Sequence, residues 1–152
     1  MQTISAPRPG HLHNGVDFVA AGGRPIHAAD AGRVALVQSP GAAGGYGNFI
    51  CLQHRPHLAS CYAHLSAFAP GLRPGKRVKR GHVIGLVGTT GSSSEPHLHF
   101  EVRRGAAGCQ SCAVDPLRCS TVRYRRRPCP NSPIAKPVGH AAAPPDGNDA
   151  RQ

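Results

Sequence analysis

The sequence has no tryptophan, one methionine and only 5% aromatic residues in 152 positions. That scarcity gives poor support for a stacking platform for nucleobases. No stretch keeps helical periodicity over three turns, which excludes a helical bundle. No apolar run is long enough to cross a bilayer. No strong internal repeat is visible, which argues against a repeat array. The opening "MQTISAPRPG" has no charged start followed by an apolar core, so no secretory leader is visible in it.

What is present is turn chemistry and basic charge. Nineteen glycines and fifteen prolines bracket short apolar runs such as "RVALVQ", "NFICLQ", "HVIGLVG" and "HFEV". This pattern predicts short strands joined by turns. A length of 152 residues suits one domain with one core. Residues 1–10 read as an irregular arm and 11–118 as the folded domain. Residues 119–152, rich in Pro, Ala and Arg, read as a disordered tail. The net charge of +11 favours anionic partners, wall polymers among them, but no specific nucleic-acid motif accompanies it.

Six cysteines point to an oxidising compartment or a metal site. Cys51 and Cys61 flank a hairpin, and pairing them predicts a cross-strand disulfide on one face. The same register places Asn48 opposite His64 on the other face. Cys109, Cys112, Cys119 and Cys129 are expected to form two further disulfides, with a structural zinc as the alternative. These bonds imply an extracellular, cell-wall or periplasmic setting and a chain trimmed of its leader. His54 and His57 read as solvated residues of the hairpin loop.

Three histidine motifs carry the chemistry. In "PHLHFEV", His97 and His99 share one strand face and Leu98 takes the other. Parity leaves open whether they are two ligands, a ligand and a proton-handling group, or two ordinary polar residues. Glu101 has the same parity and reads either as a partner of a ligand histidine or as a plain surface residue. In "HLHNGVDF", His13 and Asp17 stand in a loop entering a strand. Two imidazoles and a carboxylate make a plausible zinc set with a fourth position open. In "CYAHLS", period two puts Tyr62 and His64 on one face.

"HNGVDF", "AADAGRV", "GGYGNFICLQH", "YAHLS", "GKRVKRGHVIGLVGTTG" and "PHLHFEVR" occur in this order over residues 11–118. In that order the chain resembles the lysostaphin-like, LytM-type zinc metalloendopeptidases. The resemblance implies a mainly β fold: a single antiparallel sheet or sandwich, related to barrel-sandwich and lipoyl-like folds, with few or no helices. It implies one Zn²⁺ held by His13, Asp17 and His99, with His97 and His64 handling protons in the cleft. Tyr46 and Asn48 are expected to line that cleft. The implied activity is hydrolysis of peptide bonds in the cross-links or stems of bacterial peptidoglycan. The alternative is a non-catalytic module that binds the wall or activates a partner hydrolase.

Overall fold

The bracketed apolar runs become strands. In chain order they are β1 (Val16–Val19), β2 (Pro25–His27), β3 (Gly32–Gln38), β4 (Asn48–Arg55), β5 (Leu58–Phe68), β6 (Arg77–Val78), β7 (Val83–Val87), β8 (His97–Arg103) and β9 (Ala113–Val114). Two single 3-10 turns, Gly44–Tyr46 and Gln110–Cys112, lie between them. The computed structural model describes residues 13–117. The expected arm and tail, with Cys119 and Cys129, lie outside the described residues. Among the described residues, no helix is long and apolar enough to cross a membrane.

Every strand pairing is antiparallel. The main path runs β1-β8-β5-β4-β3-β6, while β7 pairs with β2 and β5, and β9 with β8. The mainly β architecture expected from the sequence is therefore the one observed.

Alternation along the strands builds two apolar layers on opposite faces. Ile50, Leu52, Tyr62 and Leu65 pack with Ile26, Ile84 and Val87 on one face. Phe49, Cys51, Ala59, Cys61 and Ala63 form the other layer. Leu98 and Phe100 of β8 join the first layer, so His97, His99, Glu101 and Arg103 stand on the second face. Cys51 and Cys61 are direct partners and form the expected disulfide.

β5 changes neighbour partway along its length. Ala59–Ala63 pairs with β8, whereas Leu65–Phe68 pairs with β7. His64 sits at the change, with φ at +61°. A non-glycine residue at positive φ is uncommon, and here it makes a bulge that bends the strand.

The bulge overturns two expectations. Asn48 pairs with Leu65, one residue beyond the expected His64. Tyr62 and His64 do not share a face. The Tyr62 hydroxyl accepts from the Ala29 N–H at 2.8 Å and its ring packs on Phe100, whereas the His64 ring lies 4.7 Å from that of His97. Period two holds only while a strand keeps one backbone conformation, and residue 64 departs from it.

His54 also departs from expectation. It belongs to β4, with ring nitrogens 2.9 Å from the Ala31 carbonyl and 2.7 Å from the Ser60 hydroxyl. The hairpin turn is shorter than its polar composition suggests, and His57 alone of the two is exposed there.

Candidate metal centre

Asp17 of β1 and His99 of β8 are direct cross-strand partners, so their side chains meet on the same face. His13 reaches them from the segment leading into β1. His13 Nε2 lies 3.0 Å from Asp17 Oδ1 and 3.0 Å from His99 Nδ1, and His99 Nδ1 lies 2.8 Å from Asp17 Oδ1. The three side chains are buried. Gly15 permits this approach. A Cβ at that position would stand 2.3 Å from the Phe100 carbonyl oxygen and 3.0 Å from the His99 ring.

The donor set fits a zinc ion. Glu101 Oε1 lies 3.1 Å from His99 Nε2, and a carboxylate can only accept there. With the proton on Nε2, neutral His99 turns the lone pair of Nδ1 toward the Asp17 carboxylate. Two acceptors at 2.8 Å repel unless a proton or a cation lies with them. Zinc takes imidazole nitrogen and carboxylate oxygen at ~2.0–2.1 Å, which separates tetrahedral donors by about 3.3 Å. The observed triangle is close to that size, and three protein donors leave a fourth position open.

The electrostatics agree. Burial opposes a charged Asp17, but bonds from His13 and His99 hold its carboxyl well below the usual carboxylate range. Burial also opposes a charged His99, while Asp17 and Glu101 push its pKa up. Glu101 is held low against burial by His99 and Arg103. With Glu101 paired to Arg103, the Asp17 carboxylate is the anionic donor that suits the pocket to a cation.

Two further histidines border the triangle. His97 Nδ1 donates to the Glu95 carbonyl at 2.8 Å, with the Ser93 hydroxyl at 3.2 Å. Its Nε2 therefore carries the lone pair. That atom is buried, has no hydrogen-bond partner, and stands 3.7 Å from Asp17 Oδ1. His64 Nδ1 donates to the Thr90 carbonyl at 2.8 Å, so its Nε2 is an acceptor as well. The bulge at residue 64 is what brings this ring to the site face.

Burial, with His97 and His99 nearby, pushes the His64 pKa down from 6.5 to about 4. The folded chain then binds a proton less readily than the unfolded chain between these values. Stability is full above about pH 6.5 and is lost as pH falls toward about 4. Urea unfolding should show a lower midpoint at pH 4 than at pH 7, and His64→Gln should flatten the slope across this window. Equal slopes for the two proteins would assign the acid sensitivity elsewhere.

The expected cleft residues take defined places. The Tyr46 ring stacks on Phe49 at 4.6 Å and lies 5.7 Å from the His99 ring. Its hydroxyl donates to Glu101 Oε1 at 2.6 Å, and burial together with Glu101 pushes its pKa up to about 12. The Asn48 amide donates to the Leu65 carbonyl at 2.9 Å and braces the corner that carries His64. Cys109 and Cys112 form a disulfide with each other. Sequence reasoning missed Thr90 and Arg103. Thr90 acts through its carbonyl, which no motif reveals. Arg103 could have been found by extending the parity of Glu101 by one step.

The sequence model of Peptidase family M23 matches residues 11–116. DD-carboxypeptidase/endopeptidase Mpg of Neisseria meningitidis is 42% identical over 92 residues, which is 60% of this chain and 20% of that protein. Peptidoglycan DD-endopeptidase ShyB of Vibrio cholerae is 38% identical over 90 residues, 59% of this chain and 20% of that protein. The chain spans about a fifth of the length of these curated relatives. Among solved structures, the catalytic domain of the antimicrobial peptidase lysostaphin from Staphylococcus simulans matches with a TM-score of 0.68 at 31% identity. That match covers 77% of this chain and 87% of the other.

Proposed function

This chain belongs to peptidase family M23, and from that membership we propose that it is a zinc-dependent endopeptidase that hydrolyses peptide bonds in the cross-links or stems of bacterial peptidoglycan. The observation that carries the reading is the buried, unpartnered Nε2 of His97 beside the His13–Asp17–His99 triangle. A metal ligand set alone can be structural. A set with an open position and a lone pair held beside it is arranged for proton transfer. The alternative of a non-catalytic module leaves that lone pair without a task.

His13, Asp17 and His99 would hold the ion, which when bound supplies Lewis-acid polarisation of a carbonyl and acidifies water. The chain's own residues do the rest. His97 takes a proton at Nε2, and its Nδ1–H bond to the Glu95 carbonyl fixes the ring for that task. His64, held neutral by burial, accepts at its own Nε2 from a donor on the substrate side. Its Thr90 bond fixes that ring in the same way.

The named relatives support peptidoglycan as the substrate, and the basic charge of the chain suits the carboxylates of its stems and other anionic wall polymers. The disulfides support an extracellular, cell-wall or periplasmic location. The test is digestion of purified peptidoglycans of different cross-link chemistry, with mass analysis of the soluble products. Loss of cross-linked species with new amino termini at one bond type is the expected result. An unchanged product profile on every substrate would count against the reading.

A further inference from the structure

Beneath the donor triangle lies a buried ion pair that the proposed hydrolysis does not use. Glu101 is 0% exposed and Arg103 is 2% exposed. Burying two charges is costly, and apolar residues of similar volume often serve stability as well or better. The geometry gives the pair another purpose. Arg103 donates to Glu101 Oε2 from Nε at 2.8 Å, and its Nη2 lies 2.7 Å from the same oxygen. That engagement leaves Oε1 for His99 and for the Tyr46 hydroxyl.

Both donors flanking Glu101 are held by one loop. Arg103 Nη1 donates to the Ala107 carbonyl, and Gln110 Nε2 donates to the Tyr46 hydroxyl at 2.9 Å. The Gln110 bond occupies the acceptor side of that hydroxyl, so its proton goes to Glu101. The loop is closed by the Arg104 N–H donating to the Cys112 carbonyl, and the Cys109–Cys112 disulfide braces its far end. It is tied to β4 through Gln53, whose side chain accepts from the Ala107 N–H at 2.8 Å and donates to the Gly105 carbonyl at 3.0 Å. Two separate contacts from one disulfide-braced loop thus hold the two residues that grip the carboxylate beside His99 Nε2.

We propose that Glu101 is a positioning residue that holds His99 with Nδ1 free for a metal ion, and that the loop over residues 104–112, braced at its far end by the Cys109–Cys112 disulfide, is the clamp that keeps Glu101 aimed. The inference rests on His99 being a metal ligand. It predicts that zinc affinity depends on residues that do not touch the metal, as outer partners of ligand histidines commonly cost ~10–100-fold when lost.

The experiment measures zinc affinity by competition with a chromophoric chelator, for the parent chain, Glu101→Gln, Glu101→Ala and the double variant Cys109→Ala/Cys112→Ala. The His99 tautomer is read in the metal-free chains from ¹⁵N shifts. Glu101→Gln is nearly isosteric and guards against simple unfolding. Expected are a tautomer on Nε2 in the parent, a mixture in Glu101→Gln, and zinc binding about tenfold weaker. Glu101→Ala should approach 100-fold, and the double cysteine variant should weaken binding by a smaller factor. A parent that binds zinc and a Glu101→Gln chain that binds it within about threefold, with an unchanged tautomer, overturn the positioning role alone. An unaffected double cysteine variant overturns the clamp. A parent that binds no zinc overturns this inference together with the site reading beneath it.

Discussion

Replacing His97 with alanine is expected to lower peptidoglycan hydrolysis by about 10²–10⁴-fold, the range that a positioned acid–base group supplies, while one zinc ion stays bound. The expectation follows from where each nitrogen goes. His97 Nδ1 is committed to the Glu95 carbonyl, so Nε2 holds a lone pair in a buried site without a partner. It stands outside the contacts of 2.8–3.0 Å that link His13, Asp17 and His99. Its cross-strand partner is Val19, whereas His99 faces Asp17. Removing the ring therefore takes away a proton acceptor and leaves the donor triangle. The check is zinc stoichiometry by elemental analysis beside the rate of release of new amino groups. A His97→Ala chain that arrives without zinc would exchange the roles of His97 and His99.

That distinction marks how far the sequence could be read. Strand parity placed His97 and His99 on one face and Leu98 on the other, and Leu98 does pack in the apolar layer. Parity has only two values, so it could not tell the histidines apart. What separates them is the register of β8 against β1, a long-range pairing that no local pattern encodes. The Cys51–Cys61 pairing was legible because a short turn leaves few registers. The position of His64 was not. Its φ of +61° breaks the alternation, and no glycine or asparagine advertised it. The resemblance named His64, while the period-two rule turned it to the wrong face. The surroundings of Glu101 show the same limit. Its face could be read, and Arg103 lies one parity step away, but the Tyr46 contact and the Gln110–Tyr46 bond join segments distant in sequence.

Removal of a donor should have a larger effect than removal of His97. His99→Ala is expected to abolish zinc binding and hydrolysis together, with a loss of affinity beyond the ~10–100-fold typical of outer partners. The triangle has three donors, and zinc sites that keep an open position rest on three protein ligands. Deleting His99 leaves His13 and Asp17 on one short segment, without the strand β8 that closes the site. It also leaves Glu101 Oε1, still held by the Tyr46 hydroxyl, without the ring it positions. Chelation of the parent should reproduce the loss and added zinc should restore it, whereas His99→Ala should not recover. Hydrolysis by the parent that ignores the chelator would rule out zinc dependence. Stability supplies an independent readout, because a ligand that binds only the folded chain stabilises it by about 4 kcal/mol at a thousandfold excess over Kd. The thermal midpoint of the parent should therefore rise with zinc. That of His97→Ala should rise as much, and that of His99→Ala should not move. These three responses separate a residue that holds the metal from one that works beside it, whatever the substrate.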